Sequence, residues 1–297
     1  MGMTTLHGAI TALVTPFNRD GSLDEPALRA LVEWQIAEGI DGLVPVGSTG
    51  EAATLSLAER VRVTAITAEV VAGRVPVIAG AGTNDTAVAI ENSRALAAAG
   101  ATHLLHVSPA YSKPPQRGLI AHFRAVADAA PLPVVLYNVP GRTASNMDAE
   151  TTLELAEHPN IVAMKEASGN LVQIAEIIRR RPTGFAVLSG DDPLTVGVMT
   201  HGGEGIVSVV SNAAPGPMHA LAAAAAAGQF ARARALHDQL TPLFSAAFVE
   251  SNPIPIKAAL ALLGRCQNVL RLPLVPLDDR YTARMRDALV AAGALPA

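Results

Sequence analysis

The 297-residue chain is half apolar and carries 22 basic against 26 acidic side chains, for a formal net charge of -4 and a pI near 6.1. That balance gives no electrostatic reason to expect nucleic acid or anionic membrane as a partner, and the apolar content is ample for a large core. The single cysteine, Cys266, excludes an intramolecular disulfide, points to a reducing, cytoplasmic setting, and is read as a small buried hydrophobe.

Residues 1–8 show neither a basic leader nor a long apolar run, so no signal peptide is expected, and the alanine run 222–227 is too short to span a bilayer. Apolar strand-like runs then alternate with amphipathic helical stretches at a spacing of roughly thirty residues, several of the latter ending in glycine. Strands are predicted over Ala9–Thr15, Gly42–Gly47, Val75–Ala79, Thr102–Ser108, Pro133–Asn138, Ile161–Glu166, Phe185–Gly190 and Gly205–Val210. Helices are predicted between them over Glu25–Glu38, Leu57–Val71, Thr86–Ala99, Leu119–Ala130, Ala149–Glu157, Leu171–Arg180 and Leu194–Thr200. The strands are apolar on both faces, as parallel strands covered on both sides should be. Eight such units without a Gly-rich dinucleotide fingerprint predict an α/β fold, a (β/α)8 TIM barrel. After the eighth strand the pattern is helical, over Pro217–Gly228, Phe230–Val249, Ile256–Gly264 and Asp279–Ala292. We therefore expect a barrel over 1–228 and a C-terminal helical appendage over 229–297 packed on it as one compact unit.

One residue breaks the apolar pattern. Lys165 sits inside Ile161-Val162-Ala163-Met164-Lys165-Glu166, in a chain with only three lysines against nineteen arginines. It could snorkel to solvent or pair with Glu166. If it is buried instead, a pKa lowered by about three units corresponds to roughly 4 kcal/mol of environmental bias and yields a neutral amine that attacks carbonyls. Polar residues that could converge with it follow the other strands, where barrel chemistry sits. Gly47-Ser48-Thr49-Gly50 offers hydroxyl and backbone donors to a carboxylate, Tyr111 follows strand four, and Tyr137 and Arg142 follow strand five. Asp191-Asp192 after strand seven could be a carboxylate pair or cation site, but with Pro193 next it reads better as a helix cap. No metal site is expected: the eight histidines lack ligand spacing, and His103 and His106 fall on opposite faces of a strand. Nucleophile elbow, P-loop and redox cysteine pair are all missing from the sequence.

Taken together, GSTGEAATL, YNVPGRT, MKEASGNL, LSGDD and SNPIPIK, in this order and spacing, closely resemble the dihydrodipicolinate synthase family, within the N-acetylneuraminate lyase superfamily of class I aldolases. The resemblance covers nearly the whole chain. It implies a lyase in which Lys165 forms a Schiff base with pyruvate, and the enamine adds to L-aspartate 4-semialdehyde in lysine (diaminopimelate) biosynthesis. Tyr137, Ser48 and Tyr111 would form a hydroxyl relay for protons, with Tyr111 supplied by the neighbouring subunit of a tight dimer. Thr49 would hold the pyruvate carboxylate and Arg142 that of the semialdehyde, with Gly190 and Val207 lining the pocket. No cofactor is implied, and the assembly would be a homotetramer built as a dimer of dimers. Lys257, in SNPIPIK, is read as structural.

Two other readings stay open on the residues alone. One is a sister pyruvate-dependent aldolase acting on a sialic acid or sugar-derived oxo acid, against which Arg142 speaks. The other is a noncatalytic oxo-acid-binding paralogue, which loss of a relay member would have favoured. Three departures from the family pattern bear on these. Ser48 replaces the usual threonine, Ala144 replaces the usual glycine behind Arg142, and the positions matching the lysine-inhibition cleft are Ala52, Leu57, Arg60, Val88 and Ala110, with only Asn84 retained. A cleft stripped of its carboxylate and aromatic cannot hold a lysine zwitterion well, so activity should be insensitive to lysine. Half-inhibition by about 1 mM lysine, the affinity of a site worth only about 4 kcal/mol, would sink that expectation in a dose-response assay.

Overall fold

A computed structural model describes residues 6–296; residues 1–5, on which part of the no-leader expectation rests, lie outside the described residues. All eight predicted strands are present: β1 (Gly8–Ala12), β2 (Gly42–Val44), β3 (Ile78–Gly80), β4 (His103–Val107), β5 (Val134–Asn138), β6 (Ile161–Glu166), β7 (Ala186–Ser189) and β8 (Gly205–Ser208). They pair in parallel in the order β2-β1-β8-β7-β6-β5-β4-β3. A parallel bridge between Leu43 and Val77 joins the two ends and closes the barrel. β6 spans its predicted run in full, and the other seven strands are shorter than the runs predicted for them.

The helices between strands are α1 (Glu25–Ala37), α2 (Leu57–Val71), α3 (Thr86–Ala98), α4 (Gln116–Ala129), α5 (Pro140–Thr143), α6 (Ala149–Ala156), α7 (Leu171–Arg180) and α8 (Thr195–Thr200), and α9 (Pro215–Ala226) follows β8. Their starts follow local chemistry. Asp24 and Asp85 accept from the first-turn amides of α1 and α3, and Ser56 and Glu59 form a reciprocal capping box on α2. Among the short turns the sequence did not announce is α5, four residues started by Pro140 and too short to show a period.

Period-two alternation sorts the strand side chains. Val135, Tyr137, Ala163, Leu188 and Val207 belong to the cluster inside the barrel, whereas Val134, Leu136, Met164, Val187 and Ile206 pack under the helices. Lys165 therefore shares the inward face of β6 with Ala163, one layer higher. His106 is fully buried and meets Ser93 of α3 at 3.2 Å, while His103 bonds Thr102 at the strand edge. No cluster of metal-ligating side chains occurs among the described residues.

The helical shell has two parts. One cluster is drawn from residues 89–198, the middle of the chain. The other joins residues from the first hundred to residues after Met199, including the C-terminal α10 (Phe230–Ala246), α11 (Ile254–Leu262) and α12 (Thr282–Ala291). No helix among the described residues is long and apolar enough to cross a membrane. Cys266 is half-buried, its thiol pushed up to about 11 by burial.

The C-terminal helices are tied to the barrel mouth by a buried ion pair. Lys257 of α11 donates to Glu51 Oε1 at 2.5 Å, both side chains being fully buried, and its amine lies 4.1 Å from the Phe17 ring centroid. The Arg271 backbone N–H supplies the other carboxylate oxygen at 3.1 Å. Removing one partner of such a pair strands a charge without water, so Lys257→Met should lower unfolding stability by about 3–5 kcal/mol. Urea denaturation reads this directly, and an unchanged midpoint would show that the pair is not what holds α11 in place.

Candidate active site

Parallel pairing sets Tyr137 of β5 opposite Lys165 of β6, so both side chains rise from adjacent strands on the inward face. Lys165 is 5% exposed, and its Nζ lies 4.2 Å from the centroid of the Tyr137 ring. It neither snorkels nor pairs with Glu166. The next residue on a strand faces the other way, and the Glu166 carboxylate is spent on Asn138 Nδ2, the Ser168 backbone N–H and Gln173 Nε2. Gly190 at the end of β7 makes room for the lysine: a Cβ there would fall 3.0 Å from Lys165 Cγ and 2.8 Å from Ala167 Cβ. Contacts that close leave no space for any side chain.

Electrostatics follow from the enclosure. Burial lowers the Lys165 pKa from 10.5 to about 8, partly offset by the Asp192 carboxylate and reinforced by Arg142. Burial pushes Tyr137 up to about 12, with Arg142 opposing and Asp191 and Glu166 assisting. The phenol is thus protonated at neutral pH, and a tenth or so of the lysine is a free amine at pH 7.

Asp192 is not the helix cap expected of it. Asp191 makes no capping bond, and the fully buried Asp192 carboxylate instead accepts from Ser208 Oγ and from the Val209 and Val210 N–H groups at 3.0 and 3.4 Å. It fastens the end of β8 while its pKa rises to about 6 through burial. Its partners are backbone amides at the end of the neighbouring strand, seventeen and eighteen residues on, rather than those of the helix it precedes.

Above the amine lies a cavity of about 240 Å³ lined by Ser48, Thr49, Tyr137, Arg142, Lys165 and Gly190, among others. It opens into a second of about 510 Å³ that shares Ser48, Tyr137 and Arg142 and runs past Arg60, Asn84 and Ala110. Thr49 is buried in the turn after β2, whereas Ser48 faces outward at the mouth. Arg142 reaches the cavity from α5, its Nη2 donating to the Asn252 carbonyl at 3.0 Å, and has no carboxylate partner among the described residues. Behind it Ala144 occupies the left-handed region at φ 60°, where glycine would be free of steric cost. The loop keeps a glycine-like bend despite carrying a side chain.

Six of the eight residues singled out in the sequence therefore meet at this cavity. Val207 is buried on the inward face of β8 but below the cavity floor, where Val209 takes the lining position. Tyr111 is 92% exposed, on a loop where it and Lys113 both have positive φ. It points away from its own chain's cavity. Sequence reasoning missed Asn252 and Phe248, which line the cavity from the C-terminal region. Asn252 lay within a quoted motif, but its bond to Thr49 spans 203 residues and has no local signature.

Comparison with known proteins agrees with this fold. A 4-hydroxy-tetrahydrodipicolinate synthase of Koribacter versatilis is 50% identical over 291 residues, covering 98% of this chain and 97% of its own. One of Neisseria gonorrhoeae is 50% identical over 290 residues, covering 98% and 100%. The crystal structure of the chloride-inhibited dihydrodipicolinate synthase from Acinetobacter baumannii complexed with pyruvate superposes with a TM-score of 0.96 at 42% identity, covering 98% of this chain and all of that one. The Thermotoga maritima dihydrodipicolinate synthase matches with the same TM-score at 40% identity and the same coverage. The model of the dihydrodipicolinate synthetase family matches residues 5–292. With the barrel and nearly the full length shared, the chain belongs to the dihydrodipicolinate synthetase family.

Proposed function

We propose that this protein is a class I aldolase-type lyase that condenses pyruvate with L-aspartate 4-semialdehyde to 4-hydroxy-tetrahydrodipicolinate in lysine biosynthesis. The observation that carries the reading is the enclosed Lys165 amine, lowered to about 8 and stacked on Tyr137 within a cavity whose only unpaired strong cation among the described residues is Arg142. Its relatives' shared name supports the same product, and a solved relative complexed with pyruvate supports the first substrate. The cavity is small enough for pyruvate over the amine, and the fixed guanidinium at its rim suits a second substrate bearing a carboxylate.

The neutral Lys165 amine adds to the pyruvate C2 carbonyl, and loss of the hydroxyl as water gives an imine. Departure of a C3 proton turns the imine into an enamine, whose C3 attacks the semialdehyde carbonyl while the new alkoxide takes a proton. The substrate's own amino group then displaces Lys165 from C2, closing the ring and freeing the enzyme; one water is released overall. Protons must reach and leave an amine buried at the bottom of the cavity. Tyr137, protonated and beside the amine, carries them, with Ser48 at the mouth and Tyr111 from a second copy of the chain completing the path. Thr49 holds the pyruvate carboxylate, Arg142 holds that of the semialdehyde, and Gly190 and Val209 shape the pocket. We place the protein in the cytoplasm as a homotetramer built from dimers, since exposed Tyr111 reaches a cavity only across an interface.

Borohydride reduction in the presence of pyruvate should add a lysine-linked mass to the wild type and none to Lys165→Ala, with turnover on L-aspartate 4-semialdehyde lost in the variant. An adduct that persists without Lys165 moves the imine elsewhere. Because the amine's pKa is depressed to about 8, its neutral fraction rises tenfold per pH unit up to that point and levels beyond it. The trapping rate should trace that curve, and a rate still climbing steeply at pH 10 would contradict the assigned environment. Diluting the protein until dimers separate should abolish turnover if Tyr111 acts across the interface, whereas a fully active monomer refutes that role.

A further inference from the structure

The turn after β2 is held from the far end of the chain. Val46 and Glu51, at φ 50° and 55°, bracket Gly47-Ser48-Thr49-Gly50, and a β-branched residue in the left-handed region persists only where its surroundings impose it. Gly80 permits the fold of this turn, since a Cβ there would lie 2.3 Å from the Val46 carbonyl oxygen. Thr15 Oγ1 fastens the Gly50 carbonyl at 2.7 Å, and Lys257 anchors Glu51. The remaining restraint acts on the functional side chain itself: Asn252 Nδ2 donates to Thr49 Oγ1 at 2.9 Å within the buried floor.

We propose that Asn252 is a positioning residue for the pyruvate carboxylate, fixing the Thr49 hydroxyl so that its proton is presented to the cavity, and thereby joining the C-terminal region to the chemistry of the barrel. This rests on the pyruvate-binding reading of the site. The argument is one of donor count. A hydroxyl has one proton to give and two lone pairs to receive. With Asn252 as donor, one lone pair is occupied and the proton is left for another acceptor. No other side chain or backbone group among the described residues bonds Thr49 Oγ1, so the ligand carboxylate is the acceptor within reach. The same residue's carbonyl oxygen receives Arg142 Nη2 at 3.0 Å, so one asparagine sets the distance between the two anion-holding groups. Its side chain is 6% exposed and lines both connected cavities, so it is part of the floor on which the substrates rest. A purely structural asparagine would stabilise the fold equally well in the empty and the loaded enzyme. A positioning asparagine changes ligand affinity, and only through Thr49.

The test is the pyruvate concentration giving half the maximal initial rate of borohydride trapping, measured on the full-length protein. Asn252→Ala should raise it about five- to tenfold, the worth of one neutral hydrogen bond, while the maximal trapping rate changes less than about twofold. In a Thr49→Val background, which has no hydroxyl to orient, Asn252→Ala should then add less than about twofold. An unchanged half-saturating concentration in Asn252→Ala overturns the proposal, as does the same penalty in both backgrounds. Should the alanine variant lose its thermal transition, Asn252→Leu asks the same question with the volume of the side chain retained. A wild type that traps no pyruvate overturns the site reading and this inference together. A wild type that traps while the variants do not differ overturns this inference alone.

Discussion

Desolvation of one amine is the constraint to which the rest of this structure answers. An ammonium in the mouth of a barrel is favoured by water and disfavoured by everything else that lines the wall. Here the wall is Ala163 below, Leu188 beside, the face of Tyr137 against the amine and a glycine where any side chain would press on its stem. The ring face and the Asp192 carboxylate pull towards the charged form, and burial outweighs them. The balance leaves an amine that is weakly basic but not permanently neutral, which suits the proposed imine chemistry, where it loses a proton to add and regains one to leave.

Much of this was legible in the chain because it is local. Alternation in Ile161–Glu166 assigns Lys165 to one face of a strand, and the scarcity of lysine says the charge is not decoration. Eight βα units with strands apolar on both faces and no Gly-rich dinucleotide fingerprint favoured the closed sheet over an open doubly wound one. What was not legible depends on groups distant in sequence. Asp192 looked like a cap because capping is judged from its neighbours, whereas its true partners are amides seventeen and eighteen residues on, brought back by the barrel. Asn252 meets Thr49 only when the last quarter of the chain has folded over the first. Arg142 was readable as a charge, but the single turn of helix that aims it was not. The exposure of Tyr111 on its loop had no local signature either.

The C-terminal helices are thus more than an outer layer. Through Lys257, Asn252 and Arg271 they hold Glu51, Thr49 and Arg142, and the turn they grip is bent at both ends into a conformation that side chains disfavour. Strain of about 1–3 kcal/mol per residue is sustainable only when several bonds converge on it. The barrel supplies the amine, and the appendage supplies the rigidity of the groups around it.

The division of the helical shell has a consequence for biogenesis. Residues 89–198 form a cluster among themselves and can begin to bury apolar surface as soon as they leave the ribosome, on contacts short in sequence. The opening hundred residues share their cluster with α10, α11 and α12 and must wait, half-covered, for the end of the polypeptide. Synthesis therefore completes the middle of the ring before its beginning. The nascent amino-terminal strands are the stretch most exposed to chaperones and to mispairing, and the site cannot assemble until translation has ended.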